Sequence, residues 1–165
     1  MTNTFLFLFS YFITILLTRP NIFRYTWPVK TGNHGKKRIA LVHPRGFNWF
    51  PGCRDITDVA NRMVPQGLLS VAAYLLKQGH DVFIYDCLGP NIPFGLHSQV
   101  RAILDYQPQI VGFSATTSSF LDAVDMAQKI KEHSQHIITV CGGVHVSALE
   151  AKLLHAHGAF DFLCP

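Results

Sequence analysis

Three short segments of the sequence combine residue types that suit contact with a ligand. Residues 43–52 (HPRGFNWFPG) bring aromatic side chains and glycines together, residues 114–119 (SATTSS) are rich in hydroxyl groups, and residues 142–145 (GGVH) begin with two glycines. Hydroxyl side chains offer hydrogen bonds without charge, and glycines allow positive φ and close approach of the backbone. The aromatic residues of the first segment suit a large flat ligand or pack the loop itself, and both interpretations stay open.

Familiar nucleotide and metal motifs are absent from the sequence. The first segment is neither G-x-G-x-x-G nor a P-loop with Gly-Lys-Ser/Thr. The four cysteines, Cys53, Cys87, Cys141 and Cys164, include no C-x-x-C pair, whereas zinc and iron–sulfur sites usually show closely paired thiols. We therefore expect free thiols in a reducing cytosol, and we assign no metal ligand and no catalytic residue.

The three segments follow predicted strands, which places them at one edge of a sheet. Apolar runs predict five strands, at residues 38–42, 81–85, 109–113, 136–140 and 160–163. Helical patterns lie between them, at residues 65–79, 97–106, from 119 onward and at 147–157. Continuous apolar strands joined by helices indicate a parallel sheet covered on both faces. Ligands of such sheets bind outside the carboxyl ends of the strands.

Two helix starts carry more detailed expectations. Pro65 can occupy the first turn of the first helix, whose apolar stripe is predicted to include Leu68, Leu69, Ala72, Ala73, Leu75 and Leu76. Ser119, with Asp122 three residues later, resembles a capping box for the third helix.

The N-terminal residues differ from the rest of the chain. The apolar run 5–17 (FLFLFSYFITILL) is shorter than the ~20 residues of a membrane span, and basic residues follow it rather than precede it. It could be a weak membrane anchor, a helix on the domain or an accidental extension. We divide the chain into this segment (1–18), a Pro/Gly-containing linker (19–37) and a domain (38–165). The net charge of +4, with one tight basic cluster at 36–38, does not predict nucleic-acid binding. We expect a cytoplasmic protein, with membrane association through residues 5–17 as the alternative.

Three longer stretches carry a resemblance to a known family. They are residues 64–86 (VPQGLLSVAAYLLKQGHDVFIYD), 108–132 (PQIVGFSATTSSFLDAVDMAQKIKE) and 136–164 (HIITVCGGVHVSALEAKLLHAHGAFDFLC). In this order they resemble the cobalamin-binding N-terminal domain of radical S-adenosylmethionine enzymes, over about residues 38–165. The resemblance implies a flavodoxin-like, doubly wound α/β fold with strand order 2-1-3-4-5, and cobalamin (vitamin B12) as the cofactor.

The resemblance also implies a set of cofactor-binding residues. It assigns Ser114, Thr116, Gly142 and Gly143 to the nucleotide tail of cobalamin, and it places the residues around Pro65, Gln66 and Gly67 beside the corrin ring. Pro44, Arg45, Gly46 and Thr117 complete the predicted set.

The sequence lacks two motifs that occur in related enzymes, and each absence changes the function that we expect of the chain. None of the nine histidines lies in D-x-H-x-x-G, the motif that supplies a His ligand to cobalt, and we expect His43 to anchor a loop instead. The chain also lacks C-x-x-x-C-x-x-C, so an iron–sulfur cluster and S-adenosylmethionine are expected only with a separate catalytic domain, such as one on another chain. We therefore expect a fragment or stand-alone cofactor module that is inactive by itself.

Two other functions share this fold class. A receiver-like signalling domain would need a phosphorylatable Asp after the third strand, where Ser114 stands. A nucleotide- or flavin-binding flavodoxin-like domain is not excluded, because fold alone does not decide function.

Overall fold

The computed structural model describes residues 35–46, 64–90, 92–93, 95–149 and 157–165. All of them belong to one compact unit, Gly35–Pro165. The predictions for residues 1–18, for most of the linker and for the loop 47–63 lie outside the described residues.

The core of the fold is a five-stranded sheet in which every pairing is parallel. Its strands are β1 (Arg38–His43), β2 (Asp81–Asp86), β3 (Ile110–Ser114), β4 (Ile138–Gly142) and β5 (Phe162–Cys164). The spatial order is β2-β1-β3-β4-β5. This order confirms the predicted flavodoxin-like topology.

Helices cover both faces of the sheet. They are α1 (Gln66–Lys77), α2 (Leu96–Asp105), α3 (Phe120–His133) and α4 (Val144–Leu149). On one face, α1 packs Leu68 and Ala72 against Ile39 and Leu41. The opposite face carries the larger core, to which α2, α3 and α4 contribute. Within the described part of the chain, no helix is long and apolar enough to cross a membrane.

The last two strands begin later than predicted. β4 starts at Ile138, whose N–H donates to the carbonyl of Gln109 at 3.0 Å, while Ile137 still belongs to the preceding turn. β5 starts at Phe162, because Phe160 lies in the core without pairing to β4. An apolar run marks burial, but strand limits depend on which residues face a neighbouring strand.

Two helix predictions also need correction. The last helix begins at Val144 rather than at residue 147, because Gly143, at φ +106°, turns the chain directly from β4 into α4. In α1, Leu69 and Leu76 are 44% and 55% exposed rather than buried. Only a narrow face of α1 packs on β1 and β2. Some residues of its apolar stripe therefore lie outside the surface that contacts the sheet.

Candidate functional site

All predicted site residues that follow a strand lie at the carboxyl edge of the sheet. Pro44, Arg45 and Gly46 follow β1, while Gln66 and Gly67 form the exposed first turn of α1. Ser114 ends β3, and Thr116 and Thr117 are exposed just beyond it. Gly142 ends β4 and Gly143 follows. Ligands of open α/β sheets bind at this edge.

A cavity of about 130 Å³ lies between the loops that follow β1 and β3. Among the described residues it is lined by His43, Pro44, Arg45, Val64, Pro65, Thr116 and Ser119. It therefore brings four predicted site residues together: Pro44, Arg45, Pro65 and Thr116. Small-molecule pockets commonly measure ~300–1,000 Å³, so this cavity is sized for one group of a large ligand rather than for all of it.

The loop after β3 is held by its own hydroxyl groups. The N–H of Thr116 donates to Ser119 Oγ at 3.0 Å, and Thr116 Oγ1 lies 3.0 Å from Ser118 Oγ and 3.1 Å from Ser119 Oγ. Ser119 is the N-cap residue of α3, as predicted, but its side chain does not cap the helix. The predicted capping box is thus wrong, because Ser119 bonds to Thr116 and the Asp122 carboxylate accepts the N–H of Gly46 at 2.6 Å.

His145, which the sequence analysis does not assign to the site, links the loops after β3 and β4. Its Nδ1 lies 3.2 Å from Thr117 Oγ1, and its ring centroid is 4.4 Å from that of Phe120. Burial, reinforced by the nearby charge of His157, lowers the pKa of His145. Only its place beside the glycine pair could have marked this histidine in the sequence.

Backbone atoms lie close to both glycines at the end of β4. A Cβ on Gly143 would lie 2.5 Å from the carbonyl oxygen of Ala115, and a Cβ on Gly142 would lie 3.2 Å from that of Cys164. The N–H of Ala115 donates to the carbonyl of Gly142 at 2.8 Å. Gly143 therefore lets the chain after β4 approach the loop after β3, and Gly142 lies close to β5. The contact of both glycines with a cofactor tail stays a prediction.

The space around Gly67, close to Pro65, is open. A Cβ placed on Gly67 would meet nothing within 4 Å. The N–H of Gln66 donates to the carbonyl of Val64 at 2.7 Å, which shapes the entry into α1. The structure does not bring Gln66 and Gly67 into the lining of the cavity, so their role also stays a prediction.

His43 is held by the neighbouring strand. Its Nδ1 lies 3.1 Å from Asp86 Oδ1, an oxygen that also accepts the N–H of Leu88 at 3.1 Å. The carbonyl of His43 accepts the N–H of Cys87 at 3.0 Å. These bonds tie together the chain segments that leave β1 and β2, in line with an anchoring role.

The described cysteines are free thiols, and burial is the first cause of the raised pKa of each. Burial, with the charges of Asp86 and Asp122, raises the pKa of Cys87 to about 12. The pKa of Cys141 is about 12 and that of Cys164 about 11. Thiolates are therefore scarce at neutral pH. Among the described residues, no group of three or more His, Cys, Asp or Glu side chains could hold a metal ion.

Comparison with known protein families shows to which family this domain belongs. The family of the B12 binding domain matches residues 55–164. The chain belongs to this family. Its cofactor is accordingly cobalamin, as the resemblance implied, and the carboxyl edge of the B12-binding domain is the surface on which to seek it.

Two curated relatives are much longer than the region that they share with this B12-binding domain. An uncharacterized methyltransferase of Pyrococcus horikoshii is 35% identical over 83 residues, which cover 50% of this chain and 17% of the relative. The anaerobic magnesium-protoporphyrin IX monomethyl ester cyclase of Rubrivivax gelatinosus is 30% identical over 119 residues, which cover 71% of this chain and 20% of the relative. The chain thus spans about a fifth of these relatives.

The residues at the carboxyl edge fit cobalamin chemically. Cobalamin presents an apolar ring surface bordered by amide groups, with a nucleotide tail. The exposed hydroxyls of Thr116 and Thr117 can bond to amide or tail groups. Val64 and Val144, which are 68% and 69% exposed, offer apolar contact at the same edge of the sheet.

Proposed function

We propose that this B12-binding domain holds cobalamin over the carboxyl edge of its sheet with no protein histidine on cobalt, and that it serves a radical S-adenosylmethionine catalytic domain. The observation that carries the proposal is the cavity between the loops after β1 and β3. It unites Pro44, Arg45 and Thr116 at the edge where this fold binds ligands.

The proposed contacts divide between the two sides of the edge. Ser114, Thr116, Thr117, Gly142 and Gly143 lie where the loops after β3 and β4 meet, and we assign them to the nucleotide tail. Pro44, Arg45 and Gly46, together with Gln66 and Gly67 in the first turn of α1, are assigned to the corrin side. The binding domain would comprise residues 38–165, preceded by the linker 19–37 and the hydrophobic segment 1–18.

The proposed absence of a histidine ligand is supported by the sequence. No histidine of the chain lies in D-x-H-x-x-G. When bound, cobalamin supplies cobalt-centred chemistry, commonly methyl transfer, and the protein binds and orients it.

The link to a radical enzyme rests on the resemblance and on the relatives. Since the sequence has no C-x-x-x-C-x-x-C, the cluster and S-adenosylmethionine would come from a separate catalytic domain, for example on another chain. A cytoplasmic location, where thiols stay reduced, belongs to the same proposal. The alternatives of a receiver-like or flavin-binding domain have no specific observation in their favour.

A titration of the purified chain with hydroxocobalamin, followed by visible absorption, tests this function. We expect saturable binding and a bound spectrum that is the same in wild type and in His43→Ala. His136→Ala, an exposed histidine at the opposite edge of the sheet, is the matched control. No saturable binding by the wild type would refute cobalamin binding at this site, and a spectral change confined to His43→Ala would refute the absence of a histidine ligand.

A further inference from the structure

One buried carboxylate connects the loop after β1 to a distant helix. Asp122, in the first turn of α3, is 8% exposed. Its Oδ2 accepts the N–H of Gly46 at 2.6 Å, across 76 positions of the chain. Gly46 itself has φ +83°. A hydrogen bond with an ionised acceptor is roughly twice as strong as a neutral one. This bond therefore fixes the direction in which the chain leaves β1.

The loop that this bond holds forms one wall of the cofactor cavity. Pro44 and Arg45, which directly precede Gly46, line the cavity of about 130 Å³ together with Thr116. A second cavity, of about 220 Å³, borders Arg45 and Asp122. Pro44 is fully buried, so packing holds the start of the loop, whereas Arg45 borders open space in both cavities.

The start of α3 also forms a hydrogen bond with the loop after β3, which lines the opposite side of the 130 Å³ cavity. Ser119 Oγ, three residues before Asp122, accepts the N–H of Thr116 at 3.0 Å. One turn of α3 consequently sets the separation between the loops after β1 and β3, through Asp122 on one side and Ser119 on the other.

We propose that Asp122 is a positioning residue for cobalamin, acting through Gly46 to hold Pro44 and Arg45 at the cofactor. The inference rests on the proposed function and adds a residue that need not touch the cofactor. A residue with only a structural role would lower stability when changed, but the folded variant would bind cobalamin as tightly as the wild type.

The test measures two quantities on each of five proteins: the dissociation constant for hydroxocobalamin and the thermal midpoint without cofactor. The proteins are wild type, Asp122→Ala, Asp122→Asn, Asp125→Ala and Asp125→Asn. Asp125 lies on the same helix, is exposed and borders the same second cavity, so it is the matched control. All affinities are measured well below the lowest midpoint.

We expect Asp122→Ala to weaken binding roughly tenfold, because the loop loses this hydrogen bond from the buried N–H of Gly46. Asp122→Asn keeps a neutral acceptor and should weaken binding by about threefold. Asp125→Ala should bind like the wild type. Binding by folded Asp122→Ala within twofold of the control would overturn the inference.

If Asp122→Ala does not fold, Asp122→Asn decides the question. A loss of more than twofold relative to Asp125→Asn supports the inference, and equal affinity overturns it. Failure of the proposed function looks different, because the wild type itself would then not bind hydroxocobalamin.

Discussion

Gly143 is the position at which a single added methyl group has the most direct consequence. It lies between β4 and α4 at φ +106°, a conformation that residues with a Cβ rarely adopt. An added Cβ would stand 2.5 Å from the carbonyl oxygen of Ala115 and 2.9 Å from its nitrogen. Both are backbone atoms of a loop hydrogen-bonded to β4, so they cannot yield as a flexible side chain would. Gly143→Ala should therefore destabilise the whole domain.

The expected magnitude combines two costs. A non-glycine residue in a sparsely populated backbone region costs about 1–3 kcal/mol. Forcing a methyl group into filled space typically costs a further ~1–3 kcal/mol. Together they remove about 2–6 kcal/mol, against a total of ~5–15 kcal/mol for an ordinary domain. For a domain of this size the thermal midpoint should fall by roughly 10 °C or more.

Thermal unfolding followed by circular dichroism measures this loss, and Gly79→Ala separates the two costs. Gly79 also has positive φ, at +86°, but an added Cβ there meets nothing within 4 Å. Gly79→Ala should consequently show the backbone cost alone, and the difference between the variants measures the clash. A Gly143→Ala protein with an unchanged midpoint and weakened hydroxocobalamin binding would refute this reasoning and favour direct contact between the glycine and the cofactor tail.

Two further predictions concern the opposite edge of the sheet and the chemistry of the isolated chain. Burial favours a raised pKa for Asp161, but hydrogen bonds from Lys131 and Thr139, with the charge of Lys131, bring its pKa below the usual value. Its stabilising contribution is therefore present above pH ~4 and is lost as the pH falls through the lowered pKa. Asp161→Asn should reduce the free energy of unfolding at pH 7 by about 1–2 kcal/mol, discounted for partial exposure, and flatten its acid dependence. Denaturant titration from pH 2 to 7 measures this loss. The control is Glu132→Gln, since Glu132 forms an exposed ion pair with Lys129. Equal losses of unfolding free energy in both variants would contradict the prediction. The chain alone, reconstituted with iron and sulfide, should not cleave S-adenosylmethionine, because it has no triad of closely spaced cysteines. Chromatography that finds 5′-deoxyadenosine above a no-protein control would overturn that expectation.

Some features of the site can be predicted from the sequence, and others cannot. The segments SATTSS and GGVH follow apolar runs, so their position at the carboxyl edge follows from the alternation of strands and helices. The partners of Ser119 and Asp122 cannot be found in this way. Their spacing matches a capping box, yet one side chain bonds within its loop and the other crosses to Gly46. The same local pattern is compatible with either set of partners.

The order of the elements, the parallel sheet and the family of the domain could all be predicted from the amino-acid sequence, because these depend on periodicity and on motifs along the chain. Only the tertiary structure decided that Gly143 serves a backbone contact with Ala115, that His145 meets Thr117, and that Asp122 holds the loop after β1. These contacts join residues far apart in sequence, which become neighbours only when parallel strands bring their carboxyl ends to one edge. The physical reason is that a hydrogen bond or a steric limit depends on distances of a few ångströms, which the packing of the sheet sets and local spacing does not.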